Sequence, residues 1–292
     1  MELKVSFAMQ PTDGVYHLRA SRAMGRAIAA LPPEELRLLL ENPGQLIEAN
    51  AHRPVKLSHT SVMVEAELSI GGQPTAVAYK RLRLRQGWKT LAGLFRTSKA
   101  ERAWHLGRAL VERGIPTAAP LATCESRDLL GRHESYLATR WIEGSINLRL
   151  YLEDLAARPE NERRRRVRQA ADAVGRLIGQ MHTAGVAHRD LKALNLVVVE
   201  QPDRLAVYLV DPDGVRLCRR VAFSARAQNL ARLAAGADAI DWLTCGDRRR
   251  FLEAYLRACG LDQGQWKPLW RAIAFYSARI KRRLKRQGRP LA

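Results

Sequence analysis

Cysteine is scarce in this 292-residue chain: Cys124, Cys218, Cys245 and Cys259 stand apart with no C-x-x-C pair among them. That excludes a zinc-ribbon spacing and a disulfide framework, and leaves reduced thiols as the expectation. Long apolar runs are missing as well. Nowhere do about 18 uninterrupted apolar residues occur, so no membrane-spanning helix is expected. The first twenty residues lack a basic segment followed by an apolar one, so no secretory leader is expected either. A cytoplasmic location follows from the two together. Internal repeats and low-complexity linkers are also missing. Acidic residues are in short supply: 29 Asp+Glu face 49 Lys+Arg, a net charge of +20. Such a surface carries a positive field toward an anionic partner, and nucleic acid, an anionic membrane face or a phosphorylated substrate each qualify. The rest is ordinary. Hydrophobic residues at 47% and charged residues at 27% describe a globular chain, long enough for one two-lobed domain or two small ones.

The pattern changes character along the chain. Residues 1–54 read as an N-terminal extension, with Pro32-Pro33-Glu34-Glu35 opening a short helix. From 55 to 141 strands dominate. Ser61 to Ile70 and Ala76 to Leu82 flank Gly71-Gly72, a hairpin signature, and a helix from about Ser98 to Arg113 stops at Gly114 with Pro116 beyond it. Strand-like runs at Leu121–Cys124 and Ser135–Arg140 complete this half. From 142 to 292 the chain turns helical. Val167, Ala170, Ala171, Val174, Leu177, Ile178 and Met181 recur at helical spacing and predict one long amphipathic helix. The overall class is α+β, a small β-rich lobe followed by a mainly helical one.

The residues that carry chemistry lie in three places. His188-Arg189-Asp190-Leu191-Lys192-Ala193-Leu194-Asn195 matches H-R-D-L-K-x-x-N at every fixed position. In that loop Asp190 presents a carboxylate to an acceptor hydroxyl. Asn195 reaches a magnesium ion on the phosphates, and Lys192 approaches the transferred phosphoryl group. Beyond an apolar run comes Asp211-Pro212-Asp213-Gly214, where Asp211 takes the metal-chelating place of D-F-G and Asp213 adds a second carboxylate. Taken alone, the same four residues suit a plain β-turn. Upstream, Val77-Ala78-Tyr79-Lys80 is similar to the V-A-I-K strand, whose lysine holds the α- and β-phosphates of ATP. Glu101 is the candidate partner of Lys80. Ser98-x-x-Glu101 is equally a capping box, in which Glu101 bonds backbone at the helix start. Between Lys56 and Leu68 there is no glycine, so a turn around Ser58 to Ser61 is expected to cover the phosphates with hydroxyls and backbone N–H groups.

On these residues the chain resembles the lipopolysaccharide core kinases, the Kdo and heptose kinase (WaaP-like) group of the protein-kinase-like superfamily, from about Lys56 to Leu256. Ala78-Tyr79-Lys80, Ala100-Glu101-Arg102-Ala103-Trp104, Gly114-Ile115-Pro116-Thr117, the His188–Asn195 loop and Leu209-Val210-Asp211 carry the likeness. Arg226-x-x-Asn229-Leu230 and Arg250-Phe251-Leu252-x-x-Tyr255 add weaker support. The resemblance implies an ATP- and Mg2+-dependent phosphotransferase with Lys80, Asp190 and Asp211 as nucleotide, catalytic and metal residues. The implied acceptor is a sugar hydroxyl of the lipopolysaccharide inner core at the cytoplasmic membrane face. Two alternatives stand beside it: a protein Ser/Thr kinase or other small-molecule phosphotransferase, and a nucleotide-binding scaffold without turnover. The missing A-P-E and the early return to helix after Asp211 leave little room for a peptide-docking segment. No nucleic-acid motif is present. At the C-terminus, Trp266, Leu269, Trp270, Ile273, Ser277, Ile280 and Leu284 share a helical face, with Lys281, Arg282, Arg283, Lys285 and Arg286 crowding its end. A helix packed on the large lobe and a peripheral anchor on anionic lipid both fit that pattern.

Overall fold

The computed structural model describes residues 14–20, 23–52, 54–58, 61–83, 97–127 and 133–288. The chain divides into two compact units, Met1–Ala109 with Ala118–Ile142, and Leu110–Thr117 with Glu143–Ala292. Among the described residues no helix is long and apolar enough to cross a membrane.

The first unit contains β1 (Val15–Arg19), β2 (Ala23–Ile28), α1 (Pro33–Glu41), α2 (Gln45–Ala49), β3 (Pro54–Ser58), β4 (Ser61–Ile70), β5 (Gln73–Arg83), all but the last three residues of α3 (Lys99–Glu112), β6 (Pro120–Arg127) and β7 (His133–Arg140). Its strands form one seven-stranded antiparallel sheet in the order β1-β2-β6-β7-β5-β4-β3. The β4–β5 hairpin closes on the Ile70↔Gln73 pair, and both turn glycines take positive φ, 60° at Gly71 and 76° at Gly72. A two-residue turn of that hand matches the twist of the strands, and glycine enters it without a Cβ clash. Residues 1–54 supply β1 and β2 to this sheet and α1 and α2 to one of its faces. Neither strand alternates cleanly enough to announce itself: β2 reads Ala-Met-Gly-Arg-Ala-Ile, with two buried positions four residues apart.

Strand parity decides what each face of β5 does. Val77 and Tyr79 point into a core shared with Leu36, Leu39, Leu40 and Ile47 of α1 and α2. Tyr79 also donates its hydroxyl to the Pro43 carbonyl at 2.9 Å. Lys80 and Leu82 take the opposite face. There Leu82 and Leu137 pack on Ala100, Ala103 and Trp104 of α3. The start of α3 is fixed by Ser98, whose hydroxyl accepts the Glu101 N–H at 3.0 Å.

The second unit contains β8 (Ser145–Asn147), α4 (Leu148–Ala156), α5 (Glu160–Thr183), β9 (Val186–His188), β10 (Leu196–Glu200), β11 (Leu205–Leu209), β12 (Val215–Leu217), α6 (Phe223–Ala237), α7 (Cys245–Ala258) and α8 (Trp266–Arg286), with short 3-10 turns at Ala193–Asn195 and Pro212–Gly214. Strands β11, β10 and β8 form one small sheet, β12 and β9 another. The apolar face expected on α5 is buried at Val167, Ala170, Val174, Leu177, Ile178 and Met181. Glycines on the same helix let α7 approach closely. A Cβ on Gly175 would stand 2.6 Å from the Phe251 carbonyl oxygen, and one on Gly179 would stand 2.5 Å from the Ala258 Cβ.

Candidate active site

The catalytic-loop motif is held by hydrogen bonds from three directions. Strand β9 delivers His188 fully buried, and pairing with β12 sets Val215 opposite it. The His188 N–H donates to Asn229 Oδ1 on α6 at 2.8 Å. Its ring bridges the two acidic segments: Nδ1 accepts the Asp190 N–H at 3.2 Å, while Nε2 donates to the Asp211 carbonyl at 3.3 Å. That pattern requires the neutral Nε2–H tautomer, and burial does lower the His188 pKa from its ordinary value. Gly214 makes room for the ring, since a Cβ there would lie 2.4 Å from His188 Cε1. The Arg189 N–H donates to the Gly214 carbonyl at 2.7 Å, and the Val210 N–H to the Asn195 carbonyl at 2.9 Å. The loop and the D-P-D-G turn are thus locked to each other.

Within this frame Asp190 is 62% exposed and stands 3.2 Å from Lys192 Nζ. Its side chain is open to an acceptor, and the lysine keeps a positive charge beside it. Asp211 adopts φ 61°, ψ 73° and is the one non-glycine residue with positive φ among the described residues. A left-handed aspartate costs roughly 1 kcal/mol or more, a strain that recurs where a side chain must be aimed. Pro212 then pins the following turn. The D-P-D-G segment is therefore a turn, as its composition suggests, and at the same time the mount for Asp211.

A divalent cation is implied by the motif, and the donor chemistry suits one. The Asn195 amide donates through Nδ2 to the Asp190 carbonyl at 2.8 Å, so Oδ1 is the atom it would offer a cation. With Asp211 and Asp213 this makes an all-oxygen donor set. Magnesium prefers such a set, and it is commonly held by one or two carboxylates together with substrate phosphates. Among the described residues no cluster of three or more His, Cys, Asp and Glu side chains forms a metal cage.

The residues expected to hold the nucleotide sit in the first unit. Lys80 on β5 pairs with Met63 of β4 and Leu137 of β7 and faces the α3 side of the sheet. Glu101 on α3 is on that side too. Its carboxylate lies 3.0 Å from Arg26 Nε and 3.1 Å from His105 Nε2. Arg26, on β2, has no signal in the local sequence, because its contact depends on a strand pairing distant along the chain. Ser58 and Ser61 pair across the β3–β4 turn. The Ser58 side chain and residues 59–60, on which the expected phosphate cover depends, lie outside the described residues.

Comparison with known proteins bears on this arrangement directly. The sequence model of the lipopolysaccharide kinase (Kdo/WaaP) family matches residues 77–255, a span that takes in Lys80, Glu101, the His188–Asn195 loop and Asp211. The chain belongs to the lipopolysaccharide kinase (Kdo/WaaP) family. Among its relatives, the lipopolysaccharide core heptose(I) kinase WaaP of Pseudomonas aeruginosa is 30% identical over 181 residues, 59% of this chain and 66% of that protein. The 3-deoxy-D-manno-octulosonic acid kinase of Pasteurella multocida is 29% identical over 126 residues, 43% of this chain and 48% of that protein. The chain thus spans between about half and two thirds of the length of these relatives. A solved structure of WaaP in complex with acyl carrier protein aligns over 88% of this chain and 97% of that one, with TM-score 0.59 and 23% identity. That likeness speaks for the fold. A β-rich unit, a helical unit and the Kdo/WaaP match make it protein-kinase-like, as the sequence pattern implies.

Proposed function

We propose that this Kdo/WaaP-family chain transfers the γ-phosphoryl group of ATP to a sugar hydroxyl of the lipopolysaccharide inner core, on a Kdo or heptose residue, at the cytoplasmic membrane face. The observation that carries the reading is the loop from His188 to Asn195. One short segment exposes the Asp190 carboxylate, keeps Lys192 beside it and ties the Asn195 amide through Nδ2 to the Asp190 carbonyl.

In this mechanism Asp190 orients the acceptor hydroxyl and takes its proton as the oxygen attacks. Lys192 holds positive charge where the phosphoryl group crosses. Lys80 on β5 takes the α- and β-phosphates, and Glu101 on α3, which Arg26 and His105 hold, is the acidic residue on the same side of the sheet. Asn195, Asp211 and Asp213 would hold magnesium, which when bound neutralises charge on the phosphate oxygens. His188 stays neutral, fixing the Asp190 backbone and the Asp211 carbonyl without exchanging a proton. The direct test is to incubate the protein with labelled ATP and magnesium and with separate pools of inner-core glycolipid, casein-like protein and amino sugars. Label in the glycolipid alone supports the reading, and label in the protein pool replaces it with a protein kinase.

Two partners accompany the proposal. The exposed Arg282, Lys285 and Arg286 at the end of α8 each add about 1 kcal/mol of attraction to anionic lipid, enough together for reversible peripheral association. The second partner is an acyl carrier protein, as in the WaaP complex. The helical unit carries a half-open, mainly apolar cleft of about 300 Å³, lined by Leu152, Val174, Leu233, Phe251, Trp270 and Ile273 among others. Its lining suits an acyl chain. Mass spectrometry of the protein as purified from the cells that make it tests this, and absence of an acylated carrier protein removes the second partner.

A further inference from the structure

Where α7 lies against the first half of α5, the two helices frame an open polar groove of about 490 Å³, a size common among small-molecule sites. Its charged lining is Arg164, Arg165, Arg168 and Asp172 of α5 with Arg250 of α7. On α5 these positions fall at i, i+1, i+4 and i+8, so one face of the helix carries them all. The arginines differ in their partners. Arg250 is clamped, its Nε and Nη2 both donating to Asp172 Oδ2 at 3.0 and 2.6 Å. Arg257 stands 3.9 Å from the other oxygen of Asp172, so the one acid of the lining is already engaged. Arg164 lies 2.5 Å from Glu160 in a pair open to solvent. Arg165 and Arg168 are exposed, and among the described residues neither has an ion pair.

Packing does not account for this set. Of the arginines that open α5, Arg166 is buried and bonded to Glu200 at 2.6 Å, and Arg163 lies over the Trp242 ring. Arg165 and Arg168 have no such role. Arg164 and Arg168 stand at i, i+4, where like charges weaken a helix, and the group crowds the end of α5 at which the helix dipole favours acids. A local rule broken around a groove is the mark of a site whose ligand supplies the missing charge. Four guanidiniums against one carboxylate leave three positive charges, more than a single carboxylate neutralises. The planar donor fork of arginine matches phosphate oxygens. We propose that the α5–α7 groove is an anion site for a phosphomonoester or diphosphate group, bound by Arg165 and Arg168, with Arg164 at its edge and the clamped Arg250 as its fixed wall. The phosphate is borne by a soluble metabolite or by a lipid or glycolipid headgroup. From Arg168 to its end at Thr183, α5 runs about 22 Å before the chain enters β9 and the catalytic loop. The groove is therefore separate from the catalytic loop, and the proposal holds whichever acceptor Asp190 serves.

The test compares the full chain with the double variant Arg165→Gln/Arg168→Gln and with a control that removes two exposed arginines elsewhere, Arg19→Gln/Arg37→Gln. Calorimetric titrations in magnesium-free buffer use inorganic phosphate, pyrophosphate, glycerol phosphate and succinate. Wild type and control are expected to share a saturable phase with a phosphate probe, whose Kd rises about tenfold or more in the groove variant. Phosphate held at the catalytic site persists in all three proteins and drops out of the comparison. Arg165→Lys/Arg168→Lys keeps the charge, loses the forks and falls between. In a second arm the proteins are sedimented with phosphatidylcholine vesicles with and without phosphatidic acid. Loss of the soluble phase alone identifies a soluble ligand, and loss of binding to the phosphatidic acid vesicles identifies a headgroup. No difference in either arm overturns the site. So does an equal fall in the control, which leaves only the general field of a +20 chain, and so does equal affinity for succinate. Folding gives an independent readout. With the repulsion removed, the groove variant is expected to unfold at or above the wild-type midpoint in phosphate-free buffer, and to lack the rise that pyrophosphate gives wild type. A midpoint below wild type assigns these arginines a structural role and overturns the proposal.

Discussion

Asn229 spends one buried side-chain oxygen on two donors, the His188 N–H at 2.8 Å and His182 Nε2 at 3.2 Å. Asn229→Ala orphans both donors in the interior. It is expected to cost roughly 2–4 kcal/mol in urea unfolding and to lower kcat by loosening the Asp190 loop. A cost under about 1 kcal/mol would mean the loop is held elsewhere. His182 carries a pH signature. It is buried, bonded to Tyr255 Oη at 2.8 Å through Nδ1, and burial lowers its pKa to about 4. The unfolded chain takes up that proton near the ordinary value of about 6.5, so between roughly pH 6.5 and 4 the unfolded state binds more protons. Stability therefore falls as the solution is acidified across that window, by roughly 3 kcal/mol at its lower end. The stability–pH curve of His182→Gln should lack this step, and an unchanged curve would assign the acid loss to other groups. At the site itself, Asp211→Asn keeps a residue tolerant of the left-handed backbone while removing the charge. The expected result is a kcat loss of about a hundredfold or more with little change in the unfolding midpoint. Retained turnover would remove Asp211 from the metal role.

At the scale of elements, the close contact of α5 with α7 can be separated from helix propensity. Gly179→Ala would gain about 1 kcal/mol from propensity on an exposed helix. Here the added Cβ meets Ala258 Cβ at 2.5 Å and the Tyr255 carbonyl at 2.9 Å, so the helices must part. Net destabilisation of about 1–3 kcal/mol in urea unfolding is the expected sign, and a more stable variant would show that the interface yields freely. The same elements show what local pattern can reveal. The β4–β5 hairpin, α3 and α5 were legible because each carries its own punctuation: Gly71-Gly72, Ser98 with Gly114, and a 3.6-residue apolar stripe. The His188–Asn195 motif stood out because the phosphoryl transfer proposed for it demands fixed residue types at fixed spacing. Strands β1 and β2 were not, since their place in the sheet comes from pairing with β6, far along the chain. Arg26 beside Glu101 was hidden for the same reason, and so was the tie between Asn229 and His188, of which the sequence offers only the weak Arg226-x-x-Asn229-Leu230 pattern. Contacts made between elements leave no period in any one of them.

For the whole molecule, the net charge of +20 acts on stability and on substrate capture with opposite dependence on salt. Like charges on one compact chain repel, and added salt screens that repulsion, so the unfolding midpoint should rise with ionic strength. An anionic acceptor drawn by the same field is captured less well as the screening length shrinks, from about 14 Å near 50 mM to about 4 Å near 500 mM. Over that range kcat/KM for inner-core glycolipid is expected to drop about tenfold or more. The drop should be much smaller for a glycolipid stripped of phosphates and carboxylates, which isolates the acceptor's charge from effects of salt on ATP. Both trends are measurable in one buffer series, the midpoint by thermal scan and the rate by phosphate transfer. Joint decline would point to salt unfolding the protein rather than screening the acceptor. A rate indifferent to salt on the charged glycolipid would mean that the surplus of arginine serves a partner other than the substrate.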